Sequence, residues 1–210
     1  MRVIAGALRS RRLASAPGLD TRPTPDRLRE SLFSILAPRL EGAVFVDLYA
    51  GTGAVGIEAL SRGAAKAIFV ERAHAALDAL RENIRTLGLA SRAEIRPGKV
   101  TSMIDRVVDP AVADIVFLDP PYAFEQEYAT ALEKLGAMLA DRFAADGGAS
   151  GIRLRLVIAQ HSTRTALADN YGPLRRTRIL KQGDNALSFY EPAFPTADSP
   201  RPTLPSLASS

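Results

Sequence analysis

The sequence predicts an α/β fold organised around a mainly parallel sheet, and three observations predict it. Over residues 44–190, short apolar runs alternate with helical apolar spacing, the pattern of strands joined by crossover helices. The first strand-like run leads into a glycine-bearing turn, Gly51-Thr52-Gly53-Ala54-Val55-Gly56. A later apolar run stops abruptly at Asp119-Pro120-Pro121-Tyr122. Open α/β sheets bind ligands beyond the carboxyl ends of their strands, so both turns fall where function is expected.

Residues 1–15 carry two short extended stretches around Gly6, read as a small hairpin. Thr24-Pro25 then supply the N-cap and first position of a helix whose inward face is Leu28, Leu32, Ile35 and Leu36. Residues 44–49 read as a buried strand, followed by the glycine turn and a helix to about Arg62 that Gly63 caps. Residues 67–71 form the next strand, and Leu77, Leu80, Ile84 and Leu87 mark a helical face closed by Gly88. A weaker strand lies near 93–96 and a strong buried one at 114–119. Tyr128, Leu132, Leu135 and Leu139 define another amphipathic helix, and 146–151 a loop. Residues 154–159 read as a strand, with 177–180 and 186–190 as a closing hairpin across Gly183-Asp184-Asn185. That hairpin adds antiparallel pairing to the parallel sheet. Three units are expected: a basic hairpin over 1–20, the main domain over 21–191, and a disordered Pro/Ser/Ala/Thr-rich tail over 192–210.

A chain of 210 residues suits one domain with a small appendage, and 47% hydrophobic with 24% charged residues is ordinary for a globular protein. No run of 18 apolar residues occurs, and the first residues lack a secretory apolar segment, so a cytoplasmic location without membrane association is expected. The chain has no cysteine, which excludes disulfides, thiolate metal sites and cysteine nucleophiles. With only His74 and His161, a polyhistidine metal site is not expected either. Chemistry must then rest on carboxylates, hydroxyls, backbone groups or an organic cofactor.

All but four of the 27 basic residues are arginine, and they are unevenly placed. Residues 1–39 hold eight arginines against three acidic residues, a net +5. Residues 164–181 hold Arg164, Arg175, Arg176, Arg178 and Lys181 against Asp169, a net +4. Two basic segments around a nearly neutral middle fit either a polyanionic partner or a solvated arginine-rich surface.

Glycines at 51, 53 and 56 let the backbone turn tightly against a ligand at a helix start. Glu71, twenty residues beyond Gly51 and at a strand end, can accept from both hydroxyls of a ribose. Literally this is a dinucleotide fingerprint, so a nicotinamide-dependent oxidoreductase enters as one reading. Asp47 weighs against it, because its charge would face pyrophosphate, whereas it suits a cationic ligand with an amino group such as S-adenosylmethionine. Asp119-Pro120-Pro121-Tyr122 sharpens the reading. An exocyclic nucleobase amine is a poor nucleophile because its lone pair is delocalised into the ring. Asp119 and the Pro120 carbonyl can accept its two N–H bonds and turn the lone pair toward a sulfonium methyl. Pro120 and Pro121 stiffen the loop, and Tyr122 can stack on an extruded base.

These two motifs resemble class I S-adenosylmethionine-dependent amino-methyltransferases. Residues 2–191 resemble the bacterial small-subunit rRNA guanine-N2 methyltransferases of the RsmD type. The resemblance is carried by Arg2-Val3-Ile4-Ala5-Gly6, the stretch 21–33 around Arg22-Pro23-Thr24-Pro25, residues 47–64, Asp119–Tyr122 and Gly183-Asp184-Asn185-Ala186-Leu187-Ser188-Phe189-Tyr190. It implies a Rossmann-like seven-stranded sheet with a small N-terminal β-hairpin, and methyl transfer from S-adenosylmethionine to guanine N2 of small-subunit rRNA. It also implies that the substrate is met in a ribosomal assembly intermediate, by a monomer that needs no metal. Asp47, Ala50, Gly51, Thr52, Gly53 and Glu71 are then expected to hold the cofactor, with Arg22 and Thr24 closing over it. Asp119, Pro120, Pro121 and Tyr122 are expected to hold the target amine, and Arg2, Arg9, Arg11 and Arg12 to grip RNA.

The chain departs from the family pattern in three places, one of them a loop at 146–152 that is a little long. Gly98-Lys99-Val100 stands where such enzymes often carry Gly-Asp-Ala, which removes a carboxylate for the adenine amine. Gln160 stands where the family often has glutamate. His161 reads as a structural histidine at a strand end. Other readings are a DNA adenine-N6 methyltransferase, for which 210 residues leave little room for a target-recognition region, and a non-catalytic RNA-binding or ribosome assembly protein, which would not need the two motifs intact.

Overall fold

A computed structural model describes residues 1–15, 26–121 and 125–194. In chain order the elements are α1 (Asp26–Leu40), β1 (Val44–Leu48), α2 (Ala54–Ser61), β2 (Lys66–Glu71), α3 (His74–Thr86), β3 (Ala93–Pro97), α4 (Val100–Val107) and β4 (Ile115–Leu118). They continue with α5 (Glu125–Ala145), β5 (Leu156–Ser162), β6 (Asn170–Tyr171), β7 (Leu174–Gln182) and β8 (Asn185–Pro192). Eight strands form one sheet in the order β3-β2-β1-β4-β5-β8-β7-β6. The first five run parallel, and β8, β7 and β6 are each antiparallel to the strand before them in that order. The expected seven strands become eight because the two-residue β6 adds a short outer edge.

The strands of the parallel half are apolar on both sides because helices cover both faces. Helices α4 and α5 pack over Val46, Leu48, Val116, Leu118 and Val157, while α1 and α2 pack over Phe45, Phe117 and Ile158 on the reverse face. On that reverse face α3 meets α2 over Ala67 and Phe69. Strand order reverses between β1 and β4, whose crossovers leave to opposite faces, so a crevice opens beyond their carboxyl ends. Asp47 and Asp119 both lie at that edge.

Three boundaries differ from the sequence expectation. Helix α4 was not expected, yet Val100, Ile104 and Val107 are buried at i, i+4 and i+7; eight residues give too few repeats to stand out. Strand β5 starts at Leu156 rather than 154, since the Leu154 N–H donates to Pro110 O, and it runs on through Gln160, His161 and Ser162. Those polar residues continue a buried strand because the fold supplies their partners. The closing hairpin is longer than expected on both arms and turns through two residues, Gly183 and Asp184, with a bulge between Arg176 and Arg178. The tail expected to be disordered from 192 is ordered in its first residues, where Pro192 ends β8, Ala193 N donates to Pro173 O and Phe194 stacks on Phe143; the rest of it and the N-cap expected at Thr24 lie outside the described residues.

The N-terminal hairpin contains one antiparallel bridge, Arg2 with Arg12. So small a unit cannot hold itself, and polar side chains dock it. Glu58, fully buried on α2, accepts from Ile4 N (2.7 Å), Ala5 N (3.0 Å) and Arg62 Nε (2.7 Å). Ser61 Oγ donates to Ala5 O (2.6 Å) and accepts from Leu8 N (2.9 Å). Asn83 on α3 accepts from Ala14 N (2.6 Å), and buried Arg29 on α1 donates to Arg2 O (2.7 Å). Replacing Glu58 by alanine strands two backbone N–H groups and the Arg62 guanidinium, and is expected to cost about 3 kcal/mol. Urea unfolding together with limited trypsin digestion checks this: the midpoint should fall and cleavage at Arg9, Arg11 and Arg12 should accelerate. An unchanged midpoint with unchanged cleavage would show that Glu58 does not hold the hairpin.

Candidate active site at the carboxyl edge of the sheet

Asp47 sits in the last turn of β1 with 2% of its surface exposed, and its Oδ2 accepts Gly56 N at 2.8 Å. Helix α2 has no side-chain cap at Gly53, so this strand carboxylate satisfies a free N–H of its first turn. The loop between them is shaped by Ala50 N donating to Val70 O and Gly53 N donating to Ala50 O. Gly53 takes φ 84°, and a Cβ there would lie 2.3 Å from Leu80 Cδ1. Gly51 takes φ 56° with open space where a Cβ would project. Tyr49 holds φ 65°, a conformation costly for an aromatic residue and of a kind that collects at functional sites. Burial pushes the Asp47 carboxyl up to about 7; the Gly56 N–H opposes this and the nearby Glu71 adds to it.

Glu71, at the end of β2, accepts Gly51 N on Oε2 (2.7 Å), and Arg72 N (2.7 Å) and Ala73 N (2.8 Å) on Oε1. It therefore ties the glycine loop to the start of α3, and Oε2, with one bond made, keeps acceptor capacity for a hydroxyl. Thr52 is held from the other side, its carbonyl accepting Asn83 Nδ2 at 2.9 Å.

The second half of the site lies one strand away, since Leu48 stands opposite Leu118 and Asp119 follows directly. Asp119 Oδ2 accepts Gln160 Nε2 at 2.9 Å, and Pro120 O accepts the Tyr128 hydroxyl at 3.3 Å. Behind them His161 Nδ1 lies 2.8 Å from Ser162 O, a pure acceptor, so Nδ1 carries the proton and Nε2 accepts from Ser188 Oγ at 2.8 Å. Burial lowers the His161 pKa, and its ring meets Tyr128 edge-on at 6.3 Å. His161 is thus a neutral support for Tyr128, as expected of a structural histidine.

The fold brings Asp47, Ala50, Gly51, Thr52, Gly53 and Glu71 to one side of the crevice and Asp119, Pro120 and Pro121 to the other. Arg22, Thr24 and Tyr122 lie outside the described residues. Arg2, Arg9, Arg11 and Arg12 are exposed on the docked hairpin, and among the described residues none of them forms a salt bridge. Lys99 is exposed at the start of α4 and caps it with no side-chain bond. Sequence reasoning did not assign Gln160, Tyr128 or Asn83 to the site. Gln160 stood out only as a departure, Tyr128 read as an apolar helix position, and Asn83 falls within an apolar helical face where only its polarity was a signal. Among the described residues no group of three or more His, Asp or Glu could hold a metal ion, and no helix is long and apolar enough to cross a membrane.

Residues 1–191 match the family described as Conserved hypothetical protein 95. The chain belongs to that family. Its relatives include a candidate rRNA methyltransferase of Bacillus subtilis, YlbH, 31% identical over 194 residues that cover 91% of this chain and 98% of that one. Ribosomal RNA small subunit methyltransferase D of Escherichia coli K12 is 42% identical over 124 residues, 58% of this chain and 60% of that enzyme. A solved structure of a candidate Escherichia coli methyltransferase, yhhF, superposes with a TM-score of 0.72 at 31% identity, covering 92% of this chain and 98% of that one. The RsmD-type resemblance and the Rossmann-like class I methyltransferase fold expected from the sequence both hold within the family.

The raised Asp47 carboxyl has a measurable consequence for this family member. Between the ordinary carboxylate range and about 7 the folded state keeps a proton that the unfolded chain has released. The contribution of Asp47 to the stability of the free protein therefore falls as pH rises through that window. Asp47→Asn keeps an acceptor for Gly56 and removes the titration, so its Tm should gain on wild type between pH 5 and pH 8. A Tm difference that stays constant across that range would refute the assignment.

Proposed function

We propose that this protein transfers a methyl group from S-adenosylmethionine to the exocyclic N2 amine of a guanine in small-subunit rRNA. It does so as a cytoplasmic monomer acting on a ribosomal assembly intermediate. The observation that carries the reading is the pair of acceptors, Asp119 Oδ and Pro120 O, each fixed by its own donor beside a loop that Asp47 and Glu71 organise. The residues fit the cofactor: Gly51 leaves room above the loop, Glu71 Oε2 offers a lone pair to a ribose hydroxyl, and the buried Asp47 charge gains from a cationic amino group. Bound there, the cofactor supplies an electrophilic methyl on a sulfonium sulfur.

The chain's own part is positioning. Asp119 and the Pro120 carbonyl take the two N–H bonds of the amine and draw its nitrogen toward tetrahedral geometry. Its lone pair then points along the line of transfer rather than into the ring. Such orientation can contribute roughly 7–11 kcal/mol, and no strong base is needed beforehand because the nitrogen sheds its proton once the new N–C bond has made it cationic. Tyr122 stacks on the extruded base, Arg22 and Thr24 close over the crevice, and Arg2, Arg9, Arg11 and Arg12 grip phosphates.

Two experiments test the reading. Incubating the protein with labelled S-adenosylmethionine and small subunits from a strain lacking its own guanine-N2 enzyme should place label in N2-methylguanosine. Label in N6-methyladenosine would overturn the subfamily reading, and Asp119→Ala should lose transfer while cofactor affinity stays within about twofold. Tyr128→Phe removes one hydrogen bond to Pro120 O, worth about 1 kcal/mol, so kcat should fall about fivefold with the cofactor KM unchanged. Wild-type kcat in that variant would show that the Pro120 carbonyl needs no support.

A further inference from the structure

The proposed function uses the N-terminal basic segment and leaves the second one, residues 164–181, without a role. The structure gathers most of that segment on β7, the strand Leu174–Gln182, which is exposed along much of its length. Arg175, Arg178 and Lys181 are exposed on it, as is Arg164 in the turn after β5. Among the described residues none of these four forms a salt bridge, whereas Arg176 pairs with Asp169. Asp184 in the β7–β8 turn is the exposed carboxylate nearest in sequence to Lys181. Among the described residues the outer edge of β7 is paired to β6 only at Leu174 and Arg175, so its backbone from Thr177 onward is an open edge there.

The position of this edge matters more than its charge. Asp119 bonds Gln160, Gln160 stands opposite Leu187, and Leu187 stands opposite Leu180. That row crosses three interstrand steps, roughly 14 Å, from the catalytic loop to the β7 edge. Lys181 belongs to the neighbouring row, opposite Ala186 and through it His161. Arg178 and Leu180 face the α1 side of the sheet and Lys181 the α5 side, so cations flank both sides of the open edge. Arg164 lies at the same rim, since Thr163 N donates to Asp184 O in the β7–β8 turn.

We propose that the β7 edge is a second RNA contact line, where Arg164, Arg178 and Lys181 hold the backbone of the strand flanking the target nucleotide. It rests on the rRNA reading above and deepens it. A base extruded into the crevice leaves its neighbours single-stranded, and their phosphates need a track leading away from Asp119. Arginine forks suit phosphate, and an open strand edge gives such a chain room that a helix-covered edge would not. Charges on an edge strand also deter pairing with other strands, and that role alone would be met without any contact to RNA.

The test uses the full-length protein and labelled small-subunit rRNA, with binding measured against KCl concentration. Arg178→Gln/Lys181→Gln should reduce the salt slope by about 1.4, at about 0.7 per lost single-strand contact. It should weaken binding at low salt about tenfold while Tm and cofactor affinity hold. Arg178→Lys should keep the slope, as should Arg155→Gln, which changes an exposed arginine just before β5, at the amino ends of the parallel strands and away from the crevice. A double variant that keeps the wild-type slope overturns the inference, and one that instead self-associates in size-exclusion chromatography assigns the charges to edge protection. An equal loss in Arg155→Gln overturns it as well, by showing diffuse attraction. Wild-type protein with no salt-dependent rRNA binding would refute the rRNA reading itself, and the inference with it.

Discussion

The hydrogen bond from Gly56 N to the buried carboxylate of Asp47 is the constraint on which the rest of the site depends. A carboxylate removed from water must be compensated, and at the end of β1 the available donors are the free N–H groups of the next helix. Reaching them forces the chain to reverse within five residues, which sets the left-handed backbone at Gly51 and Gly53. It also draws α2 so close to β2 that a Cβ on Gly56 would lie 2.3 Å from the Phe69 ring. One hydrogen bond does not neutralise the group, and its pKa stays near 7. Ionising this carboxyl is therefore costly to the fold, and a cationic group placed against it would favour its charged form.

A second set of buried polar contacts ties the N-terminal hairpin to that same loop. Asn83 accepts Ala14 N on one side and donates to Thr52 O on the other. Glu58 lies on the helix that Asp47 caps, two residues beyond Gly56, and it grips Ile4 and Ala5. The hairpin is therefore seated against helices whose starts line the Asp47 side of the crevice. Any force on the hairpin is transmitted to rigid elements. Polar docking also explains how so small a hairpin persists, since Val3 and Leu13 are its only buried apolar side chains among the described residues.

Much of this was legible in the sequence because it rests on local rules. The parallel strands announced themselves as apolar runs, and α1, α3 and α5 as inward faces at helical spacing. The glycine turn and Asp119-Pro120-Pro121 marked the two halves of the crevice. What escaped was decided by contacts between segments distant in sequence. Gln160 and His161 look like the end of a strand until Asp119 and Ser188 are seen to satisfy them. Glu58 looks like an ordinary helix-surface charge, and only the hairpin folding over it shows why it is buried. Tyr128 reads as core, which it is; its hydroxyl acquires a function only because the helix carries it to Pro120 O.

Gln160 also bears on how the acceptor pair is kept ready. A glutamate at this position would bring two carboxyl groups to hydrogen-bond distance, and they could remain there only by sharing a proton. Glutamine removes that requirement, because its amide donates to Asp119 Oδ2 without titrating. One oxygen of Asp119 is thereby anchored, which restrains rotation of the carboxylate plane. Pro120 is restrained in the same sense by its ring and by Tyr128. An amine with two N–H bonds then meets two acceptors of nearly fixed separation, and it can satisfy both only with its lone pair turned in one direction. On the proposed reading, that geometry would favour amines over hydroxyls or ring carbons and leave the choice among nucleobases to residues that touch the rest of the ring.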